Sequence, residues 1–321
     1  MLESLKAHLF TFSPRHPDNQ YKHLLRDILK NGERVGDRTG IGTTKVFERQ
    51  MRFDAQWGFP LLTTKEVSFP LVAKELLWFI SGSSNIRPLV MEGVHIWDEW
   101  PYQRWLEKTR QQTQFPKYTD SWKQEKKNFA QRIREDQNFA EEFGNLGPVY
   151  GFQWRHWQTR KGKEIDQLAE VIHNIQKKPF DRRHIVTAWN PEDVPQAALP
   201  PCHRDFQLNV SPKGFLDLSW TQRSVDSFLG LPFNIASYAL LLKMIAQVTG
   251  LKDRTTVFKG ADTHIYRNHK EQVNQQLTRR PHPLSQVTLN PEIRDIDDFE
   301  FSDINLINYR HHPAIRAPIA V

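Results

Sequence analysis

Residues 234–249 constrain the fold most, because they combine helical spacing with apolar side chains on almost every side. Ile235, Leu240 and Leu241 point to different sides of such a helix, whereas the apolar residues of a helix that lies on a surface share one face. Such a helix must be surrounded, and Gly250 marks its end. The chain contains no run of about 18 consecutive apolar residues, which predicts that protein rather than a membrane surrounds it.

The rest of the chain predicts a mixture of helices and strands. Apolar periodicity and turn residues predict helices over 18–33, 70–80 and 166–176, strands over 45–53 and 256–266, and a β-rich block over 183–223. Residues 101–143 are charged, rich in Gln and poor in branched aliphatics, which predicts a partly helical, exposed insertion. Because no linker, repeat or low-complexity stretch is present, we expect one domain over 1–321.

Charge and cysteine content indicate which partners and which cellular location suit this chain. Lys and Arg number 44 against 37 Asp and Glu, a net charge of +7 that favours anionic partners. Both signs are interspersed, so a few arginines around one small anion are a better interpretation than a nucleic-acid stripe. A single cysteine and the absence of an apolar leader predict a reducing, cytoplasmic location without secretion.

The one cysteine, Cys202, follows Pro200 and Pro201, which restrict the backbone around it. A lone cysteine is either a small buried hydrophobe or a nucleophile. The second role requires a cation or base that raises its thiolate fraction.

Several arginines offer such a cation. Arg223 lies in Gln222-Arg223-Ser224, Arg182 and Arg183 precede a predicted strand, and Arg38 lies in a Gly-rich turn over 36–43. Guanidinium groups bind phosphate oxygens in a bidentate manner, so converging arginines would form a monophosphate site. Taken alone, Arg223 could equally be a solvated strand residue.

Other polar residues have two interpretations each. Asn234 is either the N-cap of the buried helix or an amide whose donor and acceptor match a uracil edge, and both roles can coexist. Asp262, His264 and Tyr266 alternate, so a strand would place them on one face, either in ordinary packing or facing a sugar hydroxyl. Glu75, if buried, would have a raised pKa and could carry protons.

Some chemistries have no support in the sequence. The thirteen histidines form no His-Glu-x-x-His pattern and a single cysteine forms no Cys-x-x-Cys, so we expect no metal. The Gly-rich turn lacks the third glycine of a dinucleotide fingerprint and the Gly-Lys-Ser/Thr of a P-loop.

Taken together, the motifs resemble the folate-dependent thymidylate synthase family. The resemblance runs in order from about residue 20 to the C-terminus and rests on the stretches 37–40, 59–65, 75–79, 96–100, 146–151, 199–203, 222–224, 228–238 and 317–321. It implies an α+β fold with a large mixed β-sheet covered by helices on one face, and a homodimer joined sheet to sheet. The segment 101–143 resembles the insertion of some bacterial members.

The resemblance implies conversion of dUMP to dTMP, with 5,10-methylenetetrahydrofolate as co-substrate. Cys202 would attack C6 of dUMP, and Glu75 would organise a proton relay, with Tyr150, His203 and Asp226 around the reacting ring.

The resemblance also implies two sets of binding residues. Substrate would be bound by Arg38, Gln222, Arg223, Ser224, Asp226, Asn234, His264 and Tyr266, with Arg182 and Arg183 supplied by the other subunit. Folate would be bound by Lys65, Trp97, Trp100, Asp226, Leu229, Phe233 and Val321. No membrane and no obligatory nucleic acid is expected.

Two alternatives remain open: a dUMP 5-hydroxymethylase of the same fold, and a catalytically inactive relative that binds nucleotides or RNA. Trp97 and Val321, which would exclude water, argue against the first, and Cys202, Glu75 and Arg223 argue against the second.

Overall fold

A computed structural model describes residues 2–37 and 40–319 of the chain, with side chains from residue 6 onward. It separates into two compact units: unit 1, from Met1–Ala73, Glu170–Val186 and Cys202–Val321, and unit 2, from Lys74–Ala169 and Thr187–Pro201. The expectation of one domain over 1–321 stays a prediction.

The helices and strands follow one another in a mixed order. The helices are α1 (Leu2–Phe10), α2 (Pro17–Asn31), α3 (Phe69–Ile80), α4 (Arg87–Met91), α5 (Glu99–Thr109), α6 (Asp120–Glu135), α7 (Gln137–Phe143), α8 (Tyr150–Arg155), α9 (Gln167–Lys177), α10 (Gly230–Val248) and α11 (Lys270–Thr278). The strands are β1 (Glu33–Val35), β2 (Thr43–Asp54), β3 (Trp157–Gln158), β4 (Glu164–Ile165), β5 (Ile185–Thr187), β6 (His203–Val210), β7 (Phe215–Asp226), β8 (Lys252–Tyr266), β9 (Gln286–Leu289) and β10 (Ile304–Ile307).

A six-stranded mixed sheet in the order β1-β2-β8-β7-β6-β5 organises unit 1. Strands β7 and β8 are parallel, whereas β1–β2, β2–β8 and β6–β7 are antiparallel. The crossover between the parallel pair is α10, as a parallel connection requires. This confirms the predicted α+β class with a large mixed sheet.

One face of the sheet is buried under α2 and α10. Trp220, Phe258 and Met51 form one row across β7, β8 and β2, and all three are buried. The indole of Trp220 stacks on Tyr238 of α10 with ring centroids 4.8 Å apart. From α2, the Tyr21 hydroxyl donates a 2.7 Å hydrogen bond to the Ser227 carbonyl.

Helix α10 confirms the predicted buried helix but begins earlier than expected. Its 19 residues are long and apolar enough to cross a membrane, yet 78% of the apolar window is buried inside the molecule, as in a core helix. It begins at Gly230 because Pro232 falls in the first turn, where no amide hydrogen is needed. Asn234 therefore lies inside the helix, and its interpretation as an N-cap was wrong.

The opposite face of the sheet is polar. Thr221, Lys259 and Gln50 form the row beside Trp220 and point the other way. In β6, the exposed Gln207 and Asn209 alternate with buried apolar residues.

The segment 101–143 contains more helix, and more buried surface, than expected. Helices α5, α6 and α7 enclose an aromatic cluster of Tyr102, Trp105, Trp122, Phe129 and Phe139, each of which is at most 5% exposed. The charged residues that suggested an exposed insertion lie on the outer faces of these helices. The scarcity of branched aliphatics was misleading because aromatic rings form most of this core.

Candidate active site

Cys202 immediately precedes β6 and lies next to the carboxyl-terminal half of β7. The carbonyl oxygen of Cys202 accepts a 2.9 Å hydrogen bond from the backbone amide of Arg223. The side chain of Cys202 remains partly exposed. The ladder shifts register between His203 and Asp205, so the strand is irregular just after the thiol. Cys202 is therefore not fully buried, and the backbone of Arg223 is its neighbour across the strands.

Three polar side chains, one each from β6, β7 and α10, form a connected group. Gln222 is 2% exposed, and its amide nitrogen donates a 3.1 Å hydrogen bond to Asn234 Oδ1. Burial lowers the pKa of His203 to about 4, although a hydrogen bond with Asn234 acts in the opposite direction. His203 is thus neutral at pH 7, and the Asn234 amide is held from two sides.

The turn after β7 holds Asp226. Its Oδ1 accepts 3.0 Å hydrogen bonds from the amides of Phe228 and Leu229. This arrangement fixes the carboxylate and leads directly into α10, whose first turns carry Phe233 and Asn234. In the sheet, Asp226 lies opposite His264 and Ser224 lies opposite Asp262.

The predicted common face of Asp262, His264 and Tyr266 is confirmed. His264 Nδ1 lies 2.9 Å from Asp262 Oδ1, and the rings of His264 and Tyr266 are in edge contact at 5.2 Å. Lys45 of β2 donates a 2.6 Å hydrogen bond to Asp262 Oδ2. The bonds to His264 and Lys45 lower the pKa of Asp262, so the carboxylate orients the imidazole. Lys45 was missed because only its strand register brings it to Asp262.

Lys65 is 4% exposed, which is unusual for a lysine. Its ammonium donates to the Phe228 carbonyl and lies 3.9 Å from the centroid of the Phe228 ring. Burial lowers its pKa to about 7. A contact with a folate tail would require Lys65 to leave this position.

A second carboxylate that sequence reasoning missed supports this region. Asp18 is fully buried and accepts hydrogen bonds of 2.6–3.1 Å from the amides and hydroxyls of Thr63 and Thr64. The residue thereby fixes the segment that carries Lys65. The adjacent threonines were the available signal, because two neighbouring hydroxyls often serve one buried acceptor.

Unit 2 contains an aromatic group around Glu75. The Trp97 indole donates a 2.8 Å hydrogen bond to Glu75 Oε1, and Trp97 contacts the rings of Trp100 at 5.2 Å and Tyr150 at 5.8 Å. Glu75 retains some exposed area, yet desolvation raises its pKa to about 7. A carboxyl group with this pKa exchanges protons readily at neutral pH.

The remaining predicted residues have different outcomes. Arg183 is 84% exposed and pairs with Asp181 at 2.6 Å, and the Arg182 carbonyl accepts a bond from Gln207. Arg38 and Val321 lie outside the described residues.

The described side chains suit organic ligands. Among them, no group of three or more His, Cys, Asp or Glu residues is arranged to hold a metal ion. Trp100 is partly exposed beside Trp97, and ring faces of this kind can stack on a flat heterocycle such as the pterin of folate.

A partly exposed thiol, a neighbouring arginine and a held amide suit nucleophilic catalysis on a small anionic substrate. The family model for thymidylate synthase matches residues 19–321. The chain therefore belongs to the thymidylate synthase family, a family of methyltransferases. Its members act on dUMP in dTMP biosynthesis and use methylenetetrahydrofolate as co-substrate.

Proposed function

We propose that this protein reductively methylates dUMP to dTMP through covalent attack of Cys202 on C6 of the uracil ring. The observation that carries the proposal is the hydrogen bond of 2.9 Å between the Cys202 carbonyl and the Arg223 amide. It makes the nucleophile a neighbour of the Gln222-Arg223-Ser224 stretch, where a guanidinium can bind phosphate and favour the thiolate.

In this proposal each polar group of unit 1 has a task. Arg223, Ser224 and Arg38 bind the phosphate, and His264 and Tyr266 bind the ribose hydroxyl. Asn234 reads the uracil edge, held in position by Gln222 and His203. Asp226, fixed by its two backbone donors, faces the reacting ring and the folate.

Glu75 acts as the proton carrier of the reaction, assisted by Tyr150. Its pKa of about 7 supports this task, because the carboxyl can both donate and accept at neutral pH. Methylenetetrahydrofolate supplies the one-carbon unit and the hydride when it is bound. Trp97, Trp100, Leu229, Phe233 and Val321 bind it and exclude water, whereas Lys65 would reach its glutamate tail only by releasing Phe228.

We further propose a cytoplasmic homodimer in which the polar faces of the two sheets meet. Ile185 of β5 is 48% exposed, and a partner at this edge would cover it. Arg182 and Arg183 then reach the partner's phosphate site. To test this, Cys202→Ser and Arg182→Gln proteins are mixed after dissociation. Since half of the dimers then carry one intact site, we expect about a quarter of the wild-type activity. No recovery would contradict the sharing of sites.

The activity is tested by incubating the protein with dUMP and methylenetetrahydrofolate and identifying the products by mass spectrometry. We expect dTMP and dihydrofolate. Formation of 5-hydroxymethyl-dUMP without dihydrofolate would show the hydroxymethylase alternative. In a parallel assay, Cys202→Ser should lower kcat about 1,000-fold or more and leave dUMP affinity within a few fold. A wild-type protein that binds dUMP without turnover would be the inactive relative.

A further inference from the structure

A groove of about 1190 Å³ lies in unit 1 between the N-terminal segment, α2 and β2. Its described walls come from His8–Pro14, the exposed side of α2, Arg49–Met51 and Arg280. The family match begins at residue 19, so the N-terminal wall lies outside the matched region. None of the residues proposed for dUMP or folate is among its described lining residues.

Hydrogen bonds hold the walls of this groove in place. Asn19 donates 2.8 Å bonds to the carbonyls of Thr11 and Ser13. Gln20 donates to the Arg52 carbonyl at 2.7 Å and accepts from the Arg52 amide at 3.0 Å. The N-terminal segment and β2 are therefore both tied to α2, and the groove is formed before any ligand binds.

The groove has an excess of positive charge. Its one described carboxylate, Asp27, is paired with Arg49 at 2.6 Å. Lys22, Arg26 and Arg280 also line the groove, and among the described residues none of these three forms an ion pair with a carboxylate. Three such cations in one concavity favour an anion with several charges.

Lys22 is the most deeply placed of these cations, at 7% exposure. Its ammonium donates one 2.6 Å bond to the Arg279 carbonyl, which leaves two donors. Burial and the charge of Arg26 lower its pKa, whereas the charge of Asp18 acts in the opposite direction, so Lys22 lies near one like charge and one opposite charge. A bound anion would relieve the repulsion from Arg26.

An aromatic surface lies beside the cations. Phe12 is 66% exposed, and its ring meets that of His8 edge to face at 5.9 Å. An exposed ring of this kind can stack on a planar base, whichever base it is.

We propose that this groove binds a nucleoside di- or triphosphate, with the polyphosphate on Lys22, Arg26 and Arg280 and the base against Phe12. The volume of about 1190 Å³ is ample for such a ligand, since it exceeds the range of about 300–1,000 Å³ that is common for small-molecule sites. A single nucleotide matches the groove better than a nucleic-acid strand, because charges of both signs alternate along the chain and form no basic stripe.

The test is isothermal titration calorimetry of the full chain with inorganic triphosphate and with ATP. Arg26→Gln/Arg280→Gln, which changes two exposed residues, should weaken both ligands about tenfold or more. The matched control Lys30→Gln/Lys178→Gln removes two exposed lysines outside the groove and should change affinity less than about twofold. Phe12→Ala should weaken ATP and spare triphosphate.

Several results would overturn the proposal. If dUMP displaces triphosphate, the anion occupies the substrate site. If both double variants lose affinity equally, the binding is general charge attraction. If a single-stranded oligoribonucleotide binds in an Arg26-dependent manner while ATP and triphosphate do not, the groove serves nucleic acid. A protein that does not bind dUMP would leave this test intact, since its readout does not use the active site.

Discussion

The indole nitrogen of Trp97 donates a 2.8 Å hydrogen bond to Oε1 of Glu75. Desolvation raises the pKa of this carboxyl group to about 7, and the indole bond acts against that rise because it stabilises the carboxylate. Two opposing effects within unit 2 therefore place the group where it can exchange protons at neutral pH.

Replacing Trp97 with Phe should move this ionisation to higher pH. The substitution keeps an aromatic ring and removes the donor, so the carboxylate loses stabilisation and its pKa should rise by about one unit or less. The pH profile of kcat measures the shift. Trp100→Phe is the matched control, since Trp100 contacts Trp97 at 5.2 Å, and it should leave the ionisation near 7. A shift to lower pH in Trp97→Phe would contradict the role of the indole.

Glu75→Gln should make the protein more stable at alkaline pH. A folded pKa of about 7 against an ordinary value of 4.5 means that the folded state holds more protons between these two values. The free energy of unfolding therefore falls as pH rises from 4.5 to 7. Replacing Glu75 with Gln should therefore raise the free energy of unfolding by about 1–3 kcal/mol at pH 8 and change it little at pH 4. Urea unfolding at both pH values measures this.

The control for that measurement is Glu170→Gln, which alters an exposed carboxylate on α9. It should show the same difference from wild type at both pH values. The stability of Glu75→Gln is compared with that of wild type at each pH. If the gain is no larger at pH 8 than at pH 4, burial does not disfavour the charged form of Glu75.

Asn234→Asp should shift substrate preference from dUMP toward dCMP. Gln222 donates to Asn234 Oδ1 at 3.1 Å, so a carboxylate keeps this bond and loses only the amide donor that we propose binds uracil O4. It can then accept from the exocyclic amine of cytosine. The ratio of kcat/KM for dCMP to that for dUMP should rise about tenfold or more. Asn174→Asp, an exposed change on α9, should leave the ratio unchanged, and unchanged selectivity in Asn234→Asp would refute the base-reading role.

Phe129→Ala should strongly destabilise unit 2. Phe129 is 1% exposed, and its ring lies 5.5–5.6 Å from those of Tyr102, Trp105 and Phe139. The lost packing should cost about 3–4 kcal/mol of unfolding free energy. Tryptophan fluorescence during urea unfolding reports the change, because Trp105 contacts the altered site. The control Met91→Ala alters a residue that is 49% exposed and should cost less than about 1 kcal/mol. Equal losses of stability in the two variants would contradict a structural role for the aromatic cluster.

Periodicity predicted several of the longer helices and strands of unit 1, because their patterns report which side faces the core, but it did not predict α1, α11, β9 or β10. Helix α2 and strand β8 lie close to the predicted bounds. The predicted helix began at residue 234 and so missed the first turn of α10, although a proline in the first turn is compatible with a helix. The aromatic core of α5–α7 was missed because its polar content suggested exposure.

The site was predicted in part, since residue type indicates chemistry and only the fold decides proximity. Cys202, Asn234 and His264 could be selected from their own side chains and neighbours. The burial of Lys65 could not, because it follows from the position of the Phe228 carbonyl, which lies 163 residues further along the chain. Lys45 and Asp18 likewise acquire their importance from distant partners.

The pairing of β2 with β8 has a consequence during synthesis. Thr43 lies opposite Tyr266 and Asp54 lies opposite Thr255, so the second strand has no long neighbour until most of the chain has left the ribosome. Loop closure over such a separation is slow, and until β8 is made the unpaired edge of β2 can pair with other chains. Chaperone demand should therefore be greatest for nascent chains that end before residue 252, the first residue of the missing neighbour.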